Sequence, residues 1–167
     1  MTARDSMPPL LRRAALLAEA IIALALAGMA AVTVVDVAGR YLLNAPLPGS
    51  YELIGLLLAV AVFAGLPLAT LRREHVVVDA LDHLLPQWLV AVQTRLTALL
   101  AAAALGALAW QLWEQGLRLA SENAATNLLA VPLAPIALFM AVSTALAAAA
   151  MVSLALAARR GRPTVAA

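Results

Sequence analysis

Residues 53–71 read LIGLLLAVAVFAGLPLATL. No side chain in this stretch carries a charge, and Thr70 is its only polar side chain. A hydrocarbon core of roughly 30 Å is crossed by about 20 helical residues, so the stretch matches one membrane span. In lipid the backbone has to satisfy its own hydrogen bonds, which makes such a span a helix. Pro67 removes one of those bonds, to the carbonyl of Phe63, and predicts a local bend at Gly65-Leu66-Pro67.

Outward from this segment the same composition recurs. Of the 167 residues, 65% are hydrophobic and 12% charged, and the mean hydropathy is +0.96. Soluble domains run at about 45–50% apolar and about 25% charged. The composition excludes an ordinary soluble globule, a disordered tail and a nucleic-acid binder. Further apolar runs predict spans at about 14–36, 89–113 and 133–158. Pro132 and Pro135 suit the start of the last one. The fold class is therefore an all-α integral membrane protein with four transmembrane helices, and 1–167 forms a single membrane domain. The first run is too long for the h-region of a signal peptide and lacks a clear cleavage boundary, so it is read as a retained span.

The net charge of +2 comes entirely from Arg against Asp and Glu, with no Lys in the chain. Arg4, Arg12, Arg13, Arg72, Arg73, Arg95, Arg159, Arg160 and Arg162 fall on one side of a four-span topology, and only Arg40 and Arg118 on the other. The positive-inside rule places both termini and the middle connection in the cytoplasm. Tyr41, Tyr51, Trp110 and Trp113 then cluster near the outer interface and Trp88 near the inner one, as membrane anchors do. Without cysteine there is no disulfide and no thiolate chemistry.

The outer connection carries Asp36 and Arg40 four residues apart, which meet if the first helix continues through them. Pro46, Pro48 and Gly49 make a turn, and Ser50 suits the cap of the second span. Glu52 enters from the second helix, so an acid–Arg–acid cluster at the membrane edge is expected. It serves either as an ion-pair network closing the hairpin or as a contact with another subunit. The middle connection, Arg72 to Pro86, places Val77, Leu81, Leu84 and Leu85 at helical spacing opposite His75, Asp79, Asp82 and His83. This predicts a short amphipathic interfacial helix at about 75–85. The i, i+4, i+8 spacing of His75, Asp79 and His83 also suits a metal, but a solvated or subunit-facing polar face explains the same residues.

Catalytic and nucleotide-binding motifs are missing, no span holds a histidine, and no repeated, broken, polar-lined helix suggests a solute site. Neither a catalytic residue, a cofactor nor a metal site is assigned, and the chain is not read as an enzyme. Glu19 is the one acid deep in a span. It supports the alternative of a self-contained, proton-coupled multidrug exporter.

From Arg40 to Pro86 the residues form an ordered set: Arg40-Tyr41, Asn44-x-Pro46-Leu47-Pro48-Gly49, Glu52, Phe63-x-Gly65, Arg72, His75, Val78-Asp79 and Leu84-Leu85-Pro86. Thr126, Leu129 and Pro132 continue it more weakly. In this order and spacing the chain resembles the small membrane subunit, of DctQ type, of tripartite ATP-independent periplasmic (TRAP) transporters. Pro67 and Glu74 are departures from that pattern, and a tryptophan expected in the second span is missing. The resemblance implies a scaffold subunit of a sodium-coupled, secondary-active importer of organic acids. It implies a large many-span membrane subunit that holds the sodium and substrate sites, and a periplasmic binding protein that delivers the substrate. The expected location is the bacterial inner membrane, among lipids, with no nucleic-acid partner. Asp36, Arg40, Glu52, His75 and Asp79 are the expected structural or subunit-contact positions.

Overall fold

The computed structural model describes residues 9–71 and 87–157. The interfacial helix expected at 75–85, with His75 and Asp79, and both chain termini lie outside the described residues. The described residues form α1 (Pro9–Leu42), α2 (Ser50–Leu71), α3 (Gln87–Ser121) and α4 (Ala134–Ala157). All four are long and apolar enough to cross a membrane.

The helices do not end where the apolar runs end. Helix α1 has 34 residues and α3 has 35, each about 50 Å at 1.5 Å per residue. Helices α2 and α4 have 22 and 24, about 33–36 Å by the same rise. Hydropathy falls at the first charge, but helical hydrogen bonding continues through it when charges pair one turn apart. Asp36 with Arg40 in α1 and Glu114 with Arg118 in α3 are such pairs. Helix α2 runs through Pro67 to Leu71. Just beyond the proline the Thr70 hydroxyl donates to the carbonyl of Leu66 at 2.9 Å.

Helix ends follow local chemistry. Helix α3 closes on Asn123, whose φ of 48° is left-handed, a conformation that Asn tolerates. The Ala124 N–H returns to the Leu119 carbonyl at 3.0 Å and that of Asn123 to Ala120 at 3.3 Å, which is a Schellman cap. Pro135 stands in the first turn of α4, where a proline removes no hydrogen bond the helix needs.

Packing places the helices in a single row rather than around a common axis. Helix α1 packs on α2, α2 on α4, and α4 on α3, and no other pair of helices touches among the described residues. The edge helices show one contact stripe each. In α1 the less exposed positions include Ile22, Ala25, Met29, Val32 and Asp36; in α3 they include Ala102, Leu105, Ala109, Leu112 and Gly116. Both stripes follow alternating steps of three and four residues, the seam of antiparallel helix pairs. Helix α4 has neighbours on both flanks. Of its apolar window 39% is buried, against 6% in α1. Apart from Met151, its buried positions are small: Ala137, Ala141, Ser143, Thr144 and Ala147. Small side chains let backbones approach closely where lipid supplies no hydrophobic drive between helices. Gly116 shows how close: a Cβ there would lie 2.8 Å from a Leu138 methyl.

Candidate functional site

Two carboxylates organise the end of the row where the α1–α2 and α3–α4 connections meet. Asp36, in the last turns of α1, accepts from Arg40 Nη2 at 2.9 Å through Oδ2. Through Oδ1 it accepts from the Leu47 N–H at 2.9 Å and from the Ser50 hydroxyl at 3.3 Å. One carboxylate thereby holds its own helix, the connecting loop and the first residue of α2. Its side chain is 13% exposed, against 47% for Arg40, and Arg40 also has Tyr51 as a neighbour.

The loop between these helices is tight. The Gly39 carbonyl accepts from the N–H groups of Leu43 at 3.1 Å and Ala45 at 3.0 Å. A Cβ on Gly39 would lie 2.6 Å from the Ala45 carbonyl oxygen, so the chain turns back only over a glycine. Gly49, with φ +77°, immediately precedes α2 and lies against Leu129, whose nearest side-chain carbon would stand 2.8 Å from an added Cβ.

Glu52 does not join Asp36 and Arg40. Oε1 accepts from the Leu128 N–H at 3.0 Å, and Oε2 from Leu128 at 3.2 Å and Leu129 at 3.1 Å. The Asn127 N–H and the Thr126 hydroxyl also face the carboxylate. The expected acid–Arg–acid cluster is thus two separate clamps. The reason is helical geometry: successive residues point about 100° apart. Ser50 and Tyr51 turn toward α1, and Glu52 turns toward the α3–α4 connection.

That connection is preshaped for an anion. Ala125 and Pro132 pair as an isolated antiparallel bridge. Around it, Thr126 N–H bonds the Val131 carbonyl and Leu133 N–H the Ala124 carbonyl, both at 3.0 Å. The Val131 N–H in turn donates to Thr126 Oγ1 at 3.1 Å. These bonds close a tip at 127–130, with Ala130 left-handed at φ 52°, and its free N–H groups converge on Glu52. Successive backbone N–H groups in a turn form an anion-binding concavity. Sequence reasoning missed this partner because donors on the backbone leave no mark in residue type. Only Thr126 and the turn-forming Asn127 hinted at it.

Both clamps hold connections to helices: Asp36 ties the α1–α2 loop to α1, and Glu52 ties the α3–α4 tip to α2. No buried side-chain polar atom lacks a hydrogen-bond partner, and no group of His, Cys, Asp or Glu suited to a metal occurs among the described residues. Both clamps fall within residues 29–161, which match the family model described as tripartite ATP-independent periplasmic transporters, DctQ component. The chain belongs to the DctQ family. The matched region of this DctQ protein takes in α1 from residue 29 onward and the whole of α2, α3 and α4. No curated protein and no solved structure matched the chain. Membership assigns this DctQ chain to a multi-component membrane transporter, in a transporter family rather than an enzyme family, and sets it against a self-contained exporter built on Glu19.

Proposed function

We propose that the chain is the scaffold subunit of a sodium-coupled TRAP transporter that imports an organic acid delivered by a periplasmic binding protein. Family membership makes it a TRAP component. The scaffold reading is carried by one observation: the helices stand in a row, so the described residues enclose no lumen between them. A solute pathway needs polar groups around an interior, whereas a row offers broad faces to a neighbour. Sodium and substrate sites then belong to the large membrane subunit. The excess of Arg on one side supports an inner-membrane topology with both termini cytoplasmic. The two clamped connections would then face the periplasm, where the binding protein arrives. Asp36, Arg40 and Glu52 act as structural clamps in this reading. His75 and Asp79, outside the described residues, are read as contacts with the large subunit.

The test is to tag the chain, purify it gently from native membranes and identify what accompanies it by mass spectrometry. A stoichiometric, many-span partner is expected. The complex in proteoliposomes should take up an organic acid only with its binding protein and an inward sodium gradient. A chain that purifies alone as a stable homo-oligomer, and transports alone until Glu19→Gln stops it, would overturn the proposal.

A further inference from the structure

Helix α3 carries a polar face that the row does not use. Gln111, Glu114, Gln115 and Arg118 recur at i, i+3, i+4 and i+7, so they share one side of the helix. That side lies roughly opposite Gly116, which packs against Leu138 of α4. With Leu108 and Leu112 these residues line a groove of about 260 Å³. Trp110 and Trp113, at the same level along α3, are 67% and 46% exposed. Exposed tryptophans settle at the headgroup level of a bilayer, which sets the depth of the groove.

We infer that this groove is a selective site for the headgroup of phosphatidylethanolamine. Arg118 Nη2 and Glu114 Oε2 stand 3.9 Å apart, with side chains 70% and 48% exposed. This ion pair is longer than a direct hydrogen bond and largely exposed, so the guanidinium keeps N–H donors, and the carboxylate keeps acceptor positions, for a ligand alongside it. A two-carbon bridge separates the lipid's ammonium from its phosphate, a span close to one helical turn of about 5 Å. The guanidinium takes the phosphate through paired N–H donors, and the carboxylate takes the ammonium. Gln111 and Gln115 flank the pair, and the exposed Leu108 meets the start of the acyl chains. Phosphatidylcholine lacks N–H donors for Glu114, and phosphatidylglycerol brings no cation to it. The inference requires only that α3 spans a bilayer, and it is independent of the transported substrate.

The full-length protein, with whatever partners accompany it, is exchanged into micelles containing equimolar phosphatidylethanolamine, phosphatidylcholine and phosphatidylglycerol. Retained lipid is read by native mass spectrometry. Phosphatidylethanolamine is expected to exceed each of the others about tenfold, the scale of one charge-assisted hydrogen bond. Arg118→Gln should abolish retention of all three. Glu114→Gln should leave retention but erase the preference. Circular dichroism on both variants checks that the helices persist. The chain has no cysteine, so Gln111→Cys gives a single labelling site, which should react with a lipid-soluble thiol reagent in native membranes. Equal retention of the three lipids by the parent protein would overturn the inference. So would unchanged retention in folded variants, or crosslinking of Gln111→Cys to a protein partner in place of lipid access.

Discussion

Glu52 in the first turn of α2 accepts the backbone N–H of Leu128 at 3.0 Å, across 76 residues of chain. The bond ties the α1–α2 hairpin to the tip of the α3–α4 connection at the membrane edge. Glu52→Ala leaves the N–H groups of Leu128 and Leu129 without their acceptor. A lower melting temperature in detergent is expected, because the tip of the α3–α4 connection is no longer held to α2. Glu52→Lys adds a cation facing those donors and should weaken complex assembly and uptake together. Normal complex yield and uptake in Glu52→Lys would show the clamp to be dispensable.

Asp36 and Arg40 form an ion pair, yet their substitutions should differ. Asp36→Ala removes the acceptor of Arg40, Leu47 and Ser50 at once and is expected to give the larger fall in melting temperature. Arg40→Ala removes one half-exposed partner and should lower the melting temperature little, as exposed ion pairs contribute little. Thermal unfolding of both variants in one detergent decides the order. A larger loss from Arg40→Ala would show that the ion pair, rather than the loop bonds, carries the hairpin.

Gly116→Ala places a methyl group 2.8 Å from a Leu138 side-chain carbon. Overpacking of this kind costs about 1–3 kcal/mol. Leu138→Ala in the same chain frees the space, so the double variant should be more stable than the sum of the two single losses. Additive losses in that cycle would mean that α3 and α4 do not meet at this pair.

Ala130 holds a left-handed backbone at φ 52°, which costs an L-residue roughly 1–2 kcal/mol. Ala130→Gly relieves that cost and should leave melting unchanged or slightly raised, after the greater freedom of glycine in the unfolded chain. Ala130→Val, branched at Cβ, should reduce stability by more than about 1 kcal/mol. Amide exchange at Leu128 and Leu129 should speed up in the valine variant alone, because the tip that faces Glu52 loses its shape.

The helices were legible in the sequence because hydropathy is a local property. Runs such as 53–71 identify a span whatever lies beside them, and the pairing of Asp36 with Arg40 followed from helical spacing within one element. The helix ends were less legible. Charge halts an apolar run but not a helix, which is why α1 continues to Leu42 and α3 to Ser121. Glu52 could be singled out as important, but its partner could not be named.

By itself, then, the sequence determined four membrane-crossing helices, the hairpin turn at Pro46, Pro48 and Gly49, and the family pattern from Arg40 to Pro86. The tertiary structure alone decided the order α1–α2–α4–α3 and sent Glu52 to Leu128 and Leu129 rather than to Arg40. The physical reason is the same for both. Helix neighbours in lipid are chosen by small-residue surfaces such as that of α4, and alanine is spread through every helix of this chain, so composition does not mark the seam. Backbone N–H groups are carried by every residue except proline, so only the fold reveals which of them converge on one carboxylate.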